Sequence, residues 1–131
     1  MSTVSSPCIL VVDDEPMIRR FIRLLLENSG FSVLDAGNGN DALTLFHAHR
    51  DTISLVLTDV LMPQMNDATL ANHLRQIDPT IPLLFISAYC DTLRGAMSNI
   101  ECLPKPFMPD ELVHKVQNAL HSHAGIPAAQ Q

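Results

Sequence analysis

The sequence predicts an α/β fold in which a parallel sheet lies between two layers of helices. Four short, mostly apolar segments carry this prediction, and they span 8–12, 55–58, 83–86 and 100–104. Short apolar runs bounded by turn signals are typical of strands that are buried on both faces of a parallel sheet. Because helical patterns separate these runs and crossovers between parallel strands are right-handed, we expect a doubly wound, three-layer α/β/α sandwich.

Five strands and five helices alternate along the chain in this prediction. The strands are expected at about 8–12, 32–36, 54–58, 83–87 and 101–103. The helices are expected at about 16–28, after the turn at 37–40, and at about 67–77, 91–97 and 109–121. Pro16 suits the first turn of its helix, where no backbone N–H is needed, and Gly30 suits a C-terminal cap.

Four of the helices carry an apolar stripe that is expected to face the sheet. These positions are Ile18, Phe21, Ile22 and Leu25 in the first helix, Ala42, Leu45, Phe46 and His49 in the second, Leu70, Leu74 and Ile77 in the third, and Leu112, Val113, Val116 and Leu120 in the last. The helix at 91–97 should be short, and Gly95 weakens it further.

Length and composition indicate one cytoplasmic domain. The chain has 131 residues, is 47% hydrophobic and has a net charge of −6, which argues against direct binding to nucleic acid. We see neither a membrane span nor a signal peptide in the sequence. Residues 1–7 are expected to be a flexible tail, 8–123 the folded domain, and 124–131 a flexible tail or the remnant of a linker.

The cysteines and histidines do not form a recognisable metal or redox motif. Three cysteines without a C-x-x-C pair predict free, buried thiols in a reducing compartment, and they are Cys8, Cys90 and Cys102. Six histidines lack a trusted ligand spacing and are expected to have structural or solvated roles; they are His47, His49, His73, His114, His121 and His123.

Polar residues that can do chemistry follow four of the predicted strands. They are Asp13 and Asp14 after the first strand, Asp59 at the end of the third, Ser87 at the end of the fourth and Lys105 after the fifth. In an open parallel sheet, ligands bind outside the carboxyl ends of the strands. Three carboxylates, a hydroxyl and an amine at one edge can hold a divalent cation and receive a phosphoryl group.

Four segments resemble motifs of the receiver domain of two-component response regulators, over about residues 8–121. They read Val-Val-Asp-Asp-Glu-Pro at 11–16, Thr-Asp-Val-Leu-Met-Pro at 58–63, Phe-Ile-Ser-Ala at 85–88 and Leu-Pro-Lys-Pro-Phe at 103–107. The resemblance implies the flavodoxin-like receiver fold, with strand order 2-1-3-4-5 and a cis bond before Pro106. A lone regulator and the receiver of a hybrid histidine kinase both agree with it.

The resemblance also implies a phosphorelay function. A sensor histidine kinase or a histidine phosphotransfer protein would donate a phosphoryl group from its phosphohistidine to Asp59. Mg²⁺ would be held by Asp13, Asp14, Asp59 and the backbone carbonyl of Leu61, since hard oxygen ligands suit this ion.

The remaining implied roles concern charge and switching. Lys105 would pair with a phosphoryl oxygen, and Ser87 would donate its hydroxyl to the phosphate. The domain would catalyse its own phosphorylation and slow dephosphorylation without being a turnover enzyme. Its contacts with an unknown downstream protein would switch, with no direct contact to nucleic acid or membrane.

The chain departs from the family pattern at several positions, including Gln64 and Asp67, where the family usually has glycines. Cys102 stands where the family usually has an aromatic residue that moves with the phosphorylation state. Met108 stands at the expected N-cap of the last helix, and its side chain cannot satisfy the free amides there. The segment between Ser87 and Lys105 is also roughly one helical turn shorter than the family pattern.

Three other functions remain as alternatives. A phosphorylation-independent, receiver-like interaction module is one, although the intact acidic residues, Ser87 and Lys105 argue against it. An aspartyl-phosphate hydrolase would usually carry a second acid two residues after the nucleophile, where this chain has Leu61. A flavin-binding protein would need a phosphate-cradling loop after the first strand, where the acids at 13–15 would repel a phosphate.

Overall fold

Five strands alternate with four helices in the computed structural model, which describes residues 7–60, 65–91 and 101–124. The strands are β1 (Cys8–Val12), β2 (Ser32–Ala36), β3 (Ile53–Val60), β4 (Leu83–Ser87) and β5 (Glu101–Pro104). The helices are α1 (Pro16–Asn28), α2 (Gly39–His49), α3 (Met65–Ile77) and α4 (Pro109–Ala124). The helix expected at 91–97 lies, beyond its first residue, outside the described residues.

The sheet is parallel throughout and has the order β2-β1-β3-β4-β5, as expected. Its register places Val12 opposite Thr58, Asp59 opposite Ile86, and Ser87 opposite Pro104. The carboxyl ends of β1, β3, β4 and β5 therefore meet at one edge in adjacent positions.

Apolar side chains of β1 alternate between two cores, one on each face of the sheet. Leu10 and its neighbours two residues away pack in one core with Phe46 of α2 and Leu74 of α3. Ile9 and Val11 pack in the other core, with residues of α1 and α4. This alternation follows from the two-residue period of a strand, and it confirms the three-layer architecture.

The inward face of α1 differs from the expected stripe. Ile22 and Leu26 are its buried residues, whereas Ile18 is 36% exposed and Phe21 is 50% exposed. Ile22 and Leu26 lie four positions apart and share a face, while Phe21 is turned about 100° from Ile22. The sequence interpretation grouped two adjacent faces into one.

The other stripes are closer to the expectation. Leu70, Leu74, Leu112 and Val116 are buried, together with Ala42, Phe46 and Ala119. His49 is exposed, so its placement on the inward stripe of α2 was wrong. His49 is the last residue of α2.

Helix ends are satisfied by side chains and by one glycine. The Asn38 side chain accepts a hydrogen bond from the Asp41 N–H at 2.8 Å, and Gly30 has a φ of 97° after α1, as its role as a C-terminal cap requires. Met108 cannot cap α4 with its own side chain, but its N–H donates to Glu111 Oε1 at 2.6 Å. This bond is one half of a capping box.

The expectation of three free thiols is wrong for two of the cysteines. Cys90 and Cys102 form a disulfide, with 5.7 Å between their Cα atoms, and Cys8 is free and buried. The paired cysteines are twelve positions apart in the sequence, a spacing that gave no signal for their pairing. The contact arises because Cys102 lies opposite Phe85 on β4, and the chain turns back beside β4 after Ser87.

None of the helices in the described ranges is long and apolar enough to cross a membrane.

Two substitutions on α1 test which face supports the core. Leu26→Ala should lower the free energy of unfolding by about 2–5 kcal/mol, because Leu26 is fully buried and its removal leaves a cavity. The matched change Phe21→Ala should cost less than about 1 kcal/mol, since half of that ring is already exposed. Urea denaturation measures both, and equal losses would contradict this account of α1.

Candidate functional site

The candidate site lies at the carboxyl edge of the sheet, where four adjacent strands end. Asp13 directly follows β1, Asp59 is the penultimate residue of β3, Ser87 ends β4 and Lys105 directly follows β5. The apolar strands that precede these residues are buried, so the backbone at the edge is held by both cores. The structure thus brings together four of the residues that the sequence singled out.

Asp59 and Lys105 form an ion pair that is mostly shielded from solvent. Nζ of Lys105 lies 2.5 Å from Oδ1 of Asp59, and their side chains are 24% and 4% exposed, respectively. Within the described residues, this oxygen accepts no hydrogen bond of good geometry, so the contact is one of charge. The Asp59 carboxylate therefore has its main compensating charge in Lys105.

The backbone around Lys105 fixes the direction of its side chain. The Lys105 N–H donates to the Ser87 carbonyl oxygen at 3.0 Å, extending the pairing of β4 with β5 by one residue. The bond from Lys105 to Pro106 is cis, as the resemblance implied. The hydrogen bond to Ser87 holds the Lys105 backbone beside the end of β4, and the Lys105 side chain reaches Asp59 on β3.

Asp13 is a buried acid with an incomplete set of partners. The side chain accepts a hydrogen bond from the Glu15 N–H at 2.8 Å through Oδ1, while Oδ2 has no partner among the described residues. The pKa of Asp13 is raised from 3.8 to about 7, mainly by burial; the Asp59 and Asp14 carboxylates contribute to the rise, and the hydrogen bond from the Glu15 amide opposes it. Near neutral pH this carboxyl can therefore lose a proton in exchange for a cation.

The predicted magnesium ligands are only partly represented. Asp13 and Asp59 adjoin each other, whereas Asp14 is exposed, and Leu61 lies outside the described residues. In the part of the chain that the structure describes, no set of three acidic, histidine or cysteine side chains is spaced as a metal centre. Mg²⁺ nevertheless often binds through one or two carboxylates and keeps several waters, so the orphaned oxygen of Asp13 beside Asp59 fits that ion.

Ser87 is fully buried at the end of β4. Its hydroxyl oxygen accepts a hydrogen bond from the Tyr89 N–H at 2.9 Å, which leaves the hydroxyl proton available to another acceptor. A phosphoryl oxygen bound to the adjacent strand would be such an acceptor. The turn from Ser87 to Tyr89 therefore sets the direction of the hydroxyl.

Arg19 supports the site, and the sequence interpretation missed it. Its Nη1 donates to the Asp13 carbonyl oxygen at 2.7 Å, and its Nε lies 3.8 Å from Oδ2 of Asp35. A Cβ atom at Gly37 would lie 3.0 Å from the same Nη1, so the glycine leaves room for the guanidinium. An acid inside the otherwise apolar β2, followed by glycine, was the available signal for a buried basic partner.

Similar proteins share the fold and much of the sequence. The DNA-binding response regulator MtrA of Mycolicibacterium smegmatis is 35% identical over 124 residues, covering 92% of this chain and 53% of MtrA. The chain spans about half the length of several curated relatives that it matches.

Two solved structures resemble the present one closely. The receiver domain of the hybrid histidine kinase CckA is 34% identical, with a TM-score of 0.72, and the match covers 86% of this chain and 98% of that one. The response regulator TrrA of Thermotoga maritima, solved in complex with Mg²⁺ and BeF, is 32% identical, with a TM-score of 0.71 and the same coverage of 86% and 98%.

A model of the response regulator receiver domain matches residues 9–117, which is most of the chain and includes every strand end described above. Together with these relatives, the match shows that the chain belongs to the receiver domain family of two-component response regulators.

Proposed function

We propose that this receiver domain takes a phosphoryl group onto Asp59 from the phosphohistidine of a sensor histidine kinase or a histidine phosphotransfer protein. The observation that carries the proposal is the shielded Asp59 carboxylate, which is paired with Lys105 and adjoins Asp13 at the carboxyl edge of the sheet. An ionised carboxylate needs no general base to act as a nucleophile. Its product would be an acyl phosphate on Asp59.

The surrounding side chains suit the charge that such a transfer develops. Lys105 already lies against Asp59 and can follow the negative charge onto a phosphoryl oxygen as a point charge. Ser87 can donate its hydroxyl proton while still accepting from the Tyr89 N–H. Both groups are fixed by the backbone of adjacent strands, which favours transfer through positioning.

Asp13, Asp14, Asp59 and the Leu61 carbonyl are the ligands that we propose for Mg²⁺. The support is the buried Asp13 oxygen without a hydrogen-bond partner, together with the adjacent Asp59 carboxylate. When bound, the ion would neutralise phosphoryl oxygens during in-line transfer. The complex of the similar response regulator TrrA with Mg²⁺ and BeF supports the choice of Mg²⁺ as the ion.

The partners and setting follow from the relatives. CckA, a hybrid histidine kinase, carries a similar receiver domain, and MtrA is a DNA-binding response regulator about twice the length of the present match. We infer that the domain acts in the cytoplasm as a signalling module, not as a turnover enzyme. Its downstream contact is with a protein, since the net charge of −6 disfavours nucleic acid.

Asp59→Asn should abolish phosphorylation. Incubation of the parent protein with a small phosphodonor and Mg²⁺ should add one phosphate, because Asp59 is the acid that the site shields and pairs with a cation. Intact-mass spectrometry measures the addition. Asp78→Asn, at an acid of the opposite end of the sheet, is the matched control and should gain phosphate like the parent.

An equal gain of phosphate in Asp59→Asn would show that another residue is the acceptor.

Mg²⁺ should stabilise the domain more at pH 8 than at pH 5.5. The pKa of Asp13 in the folded state, about 7, lies above its ordinary value of 3.8. The metal-free protein therefore loses stability as the pH rises from about 3.8 to about 7, because the unfolded chain gives up this proton first. At the lower pH, Mg²⁺ must displace the proton from Asp13 in order to bind. A Mg²⁺ concentration of about one hundred times the dissociation constant adds about 2.7 kcal/mol to the free energy of unfolding. Thermal melts with and without Mg²⁺ measure the difference.

Asp13→Asn supplies the control for this pH dependence. The substitution removes the titrating group, so the metal-free melting temperature should vary less between pH 4 and 7 and should rise less with Mg²⁺. A Mg²⁺ shift that is the same at both pH values in the parent would argue against Asp13 as a ligand.

A further inference from the structure

The disulfide joins the two chain segments that carry Ser87 and Lys105. Cys90 follows Ser87 by three residues, and Cys102 precedes Lys105 by three. Cys102 lies on β5 opposite Phe85 of β4, and Cys90 lies just after the turn that follows β4, so the link joins β5 to the segment at the carboxyl end of β4. The disulfide therefore restrains the segment that carries Ser87 relative to the segment that carries Lys105.

Contacts around the disulfide extend this restraint to the site. The Ser87 carbonyl oxygen accepts from the Lys105 N–H at 3.0 Å and lies 3.6 Å from the Sγ of Cys90. The Ser87 hydroxyl accepts from the N–H of Tyr89, which is the residue next to Cys90. Ser87 is thus held on its backbone and side chain by the segment that the disulfide fixes.

A phosphoryl group on Asp59 requires Lys105 and Ser87 to adjust their positions. Lys105 Nζ is only 2.5 Å from the Asp59 carboxylate, so the lysine must withdraw to pair with a phosphoryl oxygen beyond it. The Ser87 hydroxyl must meet the same group from the neighbouring strand. A covalent link between their segments opposes these two adjustments.

We propose that Cys90 and Cys102 form a reversible thiol–disulfide site whose oxidation lowers the affinity of the Asp59 site for the phosphoryl group. This inference rests on the proposed phosphoacceptor function. Disulfides in reducing compartments are usually transient and serve catalysis or redox sensing, which suits a signalling domain. The reacting partner is a dithiol in one direction and a disulfide in the other.

The exchange balances without any other reagent. A thiolate of the dithiol attacks Cys90 Sγ, and Cys102 leaves as a thiolate. The second thiol of the reagent then attacks the mixed disulfide and releases Cys90, so the reagent becomes a disulfide and its two protons pass to the cysteines. Cys90 is the sulfur to attack because it is 6% exposed and Cys102 is fully buried.

Binding of beryllofluoride with Mg²⁺ to the reduced and oxidised protein tests the proposal. Tyr89 is the single tyrosine, and the chain has no tryptophan, so its fluorescence reports on the turn beside Ser87. The oxidised protein should bind about fivefold or more weakly, within the usual range of coupling between two sites. Alkylation followed by mass spectrometry confirms one free thiol in the oxidised state and three in the reduced state.

Linkage supplies a second measurement that needs no variant. If oxidation weakens beryllofluoride binding, beryllofluoride must weaken the disulfide by the same factor. In a glutathione buffer, the equilibrium ratio of oxidised to reduced protein should fall by that factor when beryllofluoride and Mg²⁺ are added. A purely structural disulfide would show no such change.

Two variants separate this site from a general effect of thiols. The double variant Cys90→Ala with Cys102→Ala should bind beryllofluoride equally under oxidising and reducing conditions. The variant Cys8→Ala, at the free buried cysteine, should keep the difference in affinity between the two conditions. Equal affinities of the parent in both states, or three free thiols after treatment with oxidised glutathione, would overturn the proposal. If neither the oxidised nor the reduced parent binds beryllofluoride, and Asp59→Asn behaves in the same way, the proposed phosphoacceptor function is wrong, and its redox control is wrong with it.

Discussion

Two carboxylates buried side by side at one edge of the sheet are the constraint on which the site depends. Asp13 is 4% exposed, and the Asp59 side chain is equally shielded, so both lose most of their hydration. Lys105 compensates Asp59, and Asp13 keeps an oxygen that has no partner in the described part of the chain. The edge is therefore electrostatically incomplete, and it favours whatever brings positive charge to it.

The apolar layers make this arrangement sustainable. Adjacent strands lie about 4.8 Å apart, so single residues at successive strand ends come within reach of one another only if the register is kept. A slip of one residue in β3 would carry Asp59 to the other face of the sheet. The alternation of Ile9, Leu10 and Val11 between the two cores fixes β1 against such a slip. The chemistry of the edge is thus held by residues that take no part in it.

Sequence reasoning predicted the layers, the strand ends and the residues that meet there, because each depends on short runs with strong local signals. Asp59, Ser87 and Lys105 each follow an apolar run, and parallel pairing does the rest. The exposed side of α1 was harder, since Phe21 and Ile22 are both apolar and only the helix's rotation on the sheet decides between them.

Contacts between residues far apart in the chain could not be predicted from the sequence patterns. The pairing of Cys90 with Cys102 depends on how the chain turns after β4, and no spacing rule encodes that turn. Arg19 was missed for a related reason, because its partner Asp13 follows β1 whereas its partner Asp35 lies on β2. Such contacts are decided by the packing of elements already formed, and they modify a site whose main residues local patterns had identified.

The space beside Gly37 has a consequence for how this domain can vary. Because a methyl group there would lie 3.0 Å from the Arg19 guanidinium, a side chain at position 37 requires the end of the Arg19 side chain to shift by a few tenths of an ångström. Arg19 in turn holds the Asp13 carbonyl, so the two positions do not vary independently. A side chain at position 37 would thus disturb the hydrogen bond from Arg19 to the Asp13 carbonyl, and its effect would depend on which residue occupies position 19.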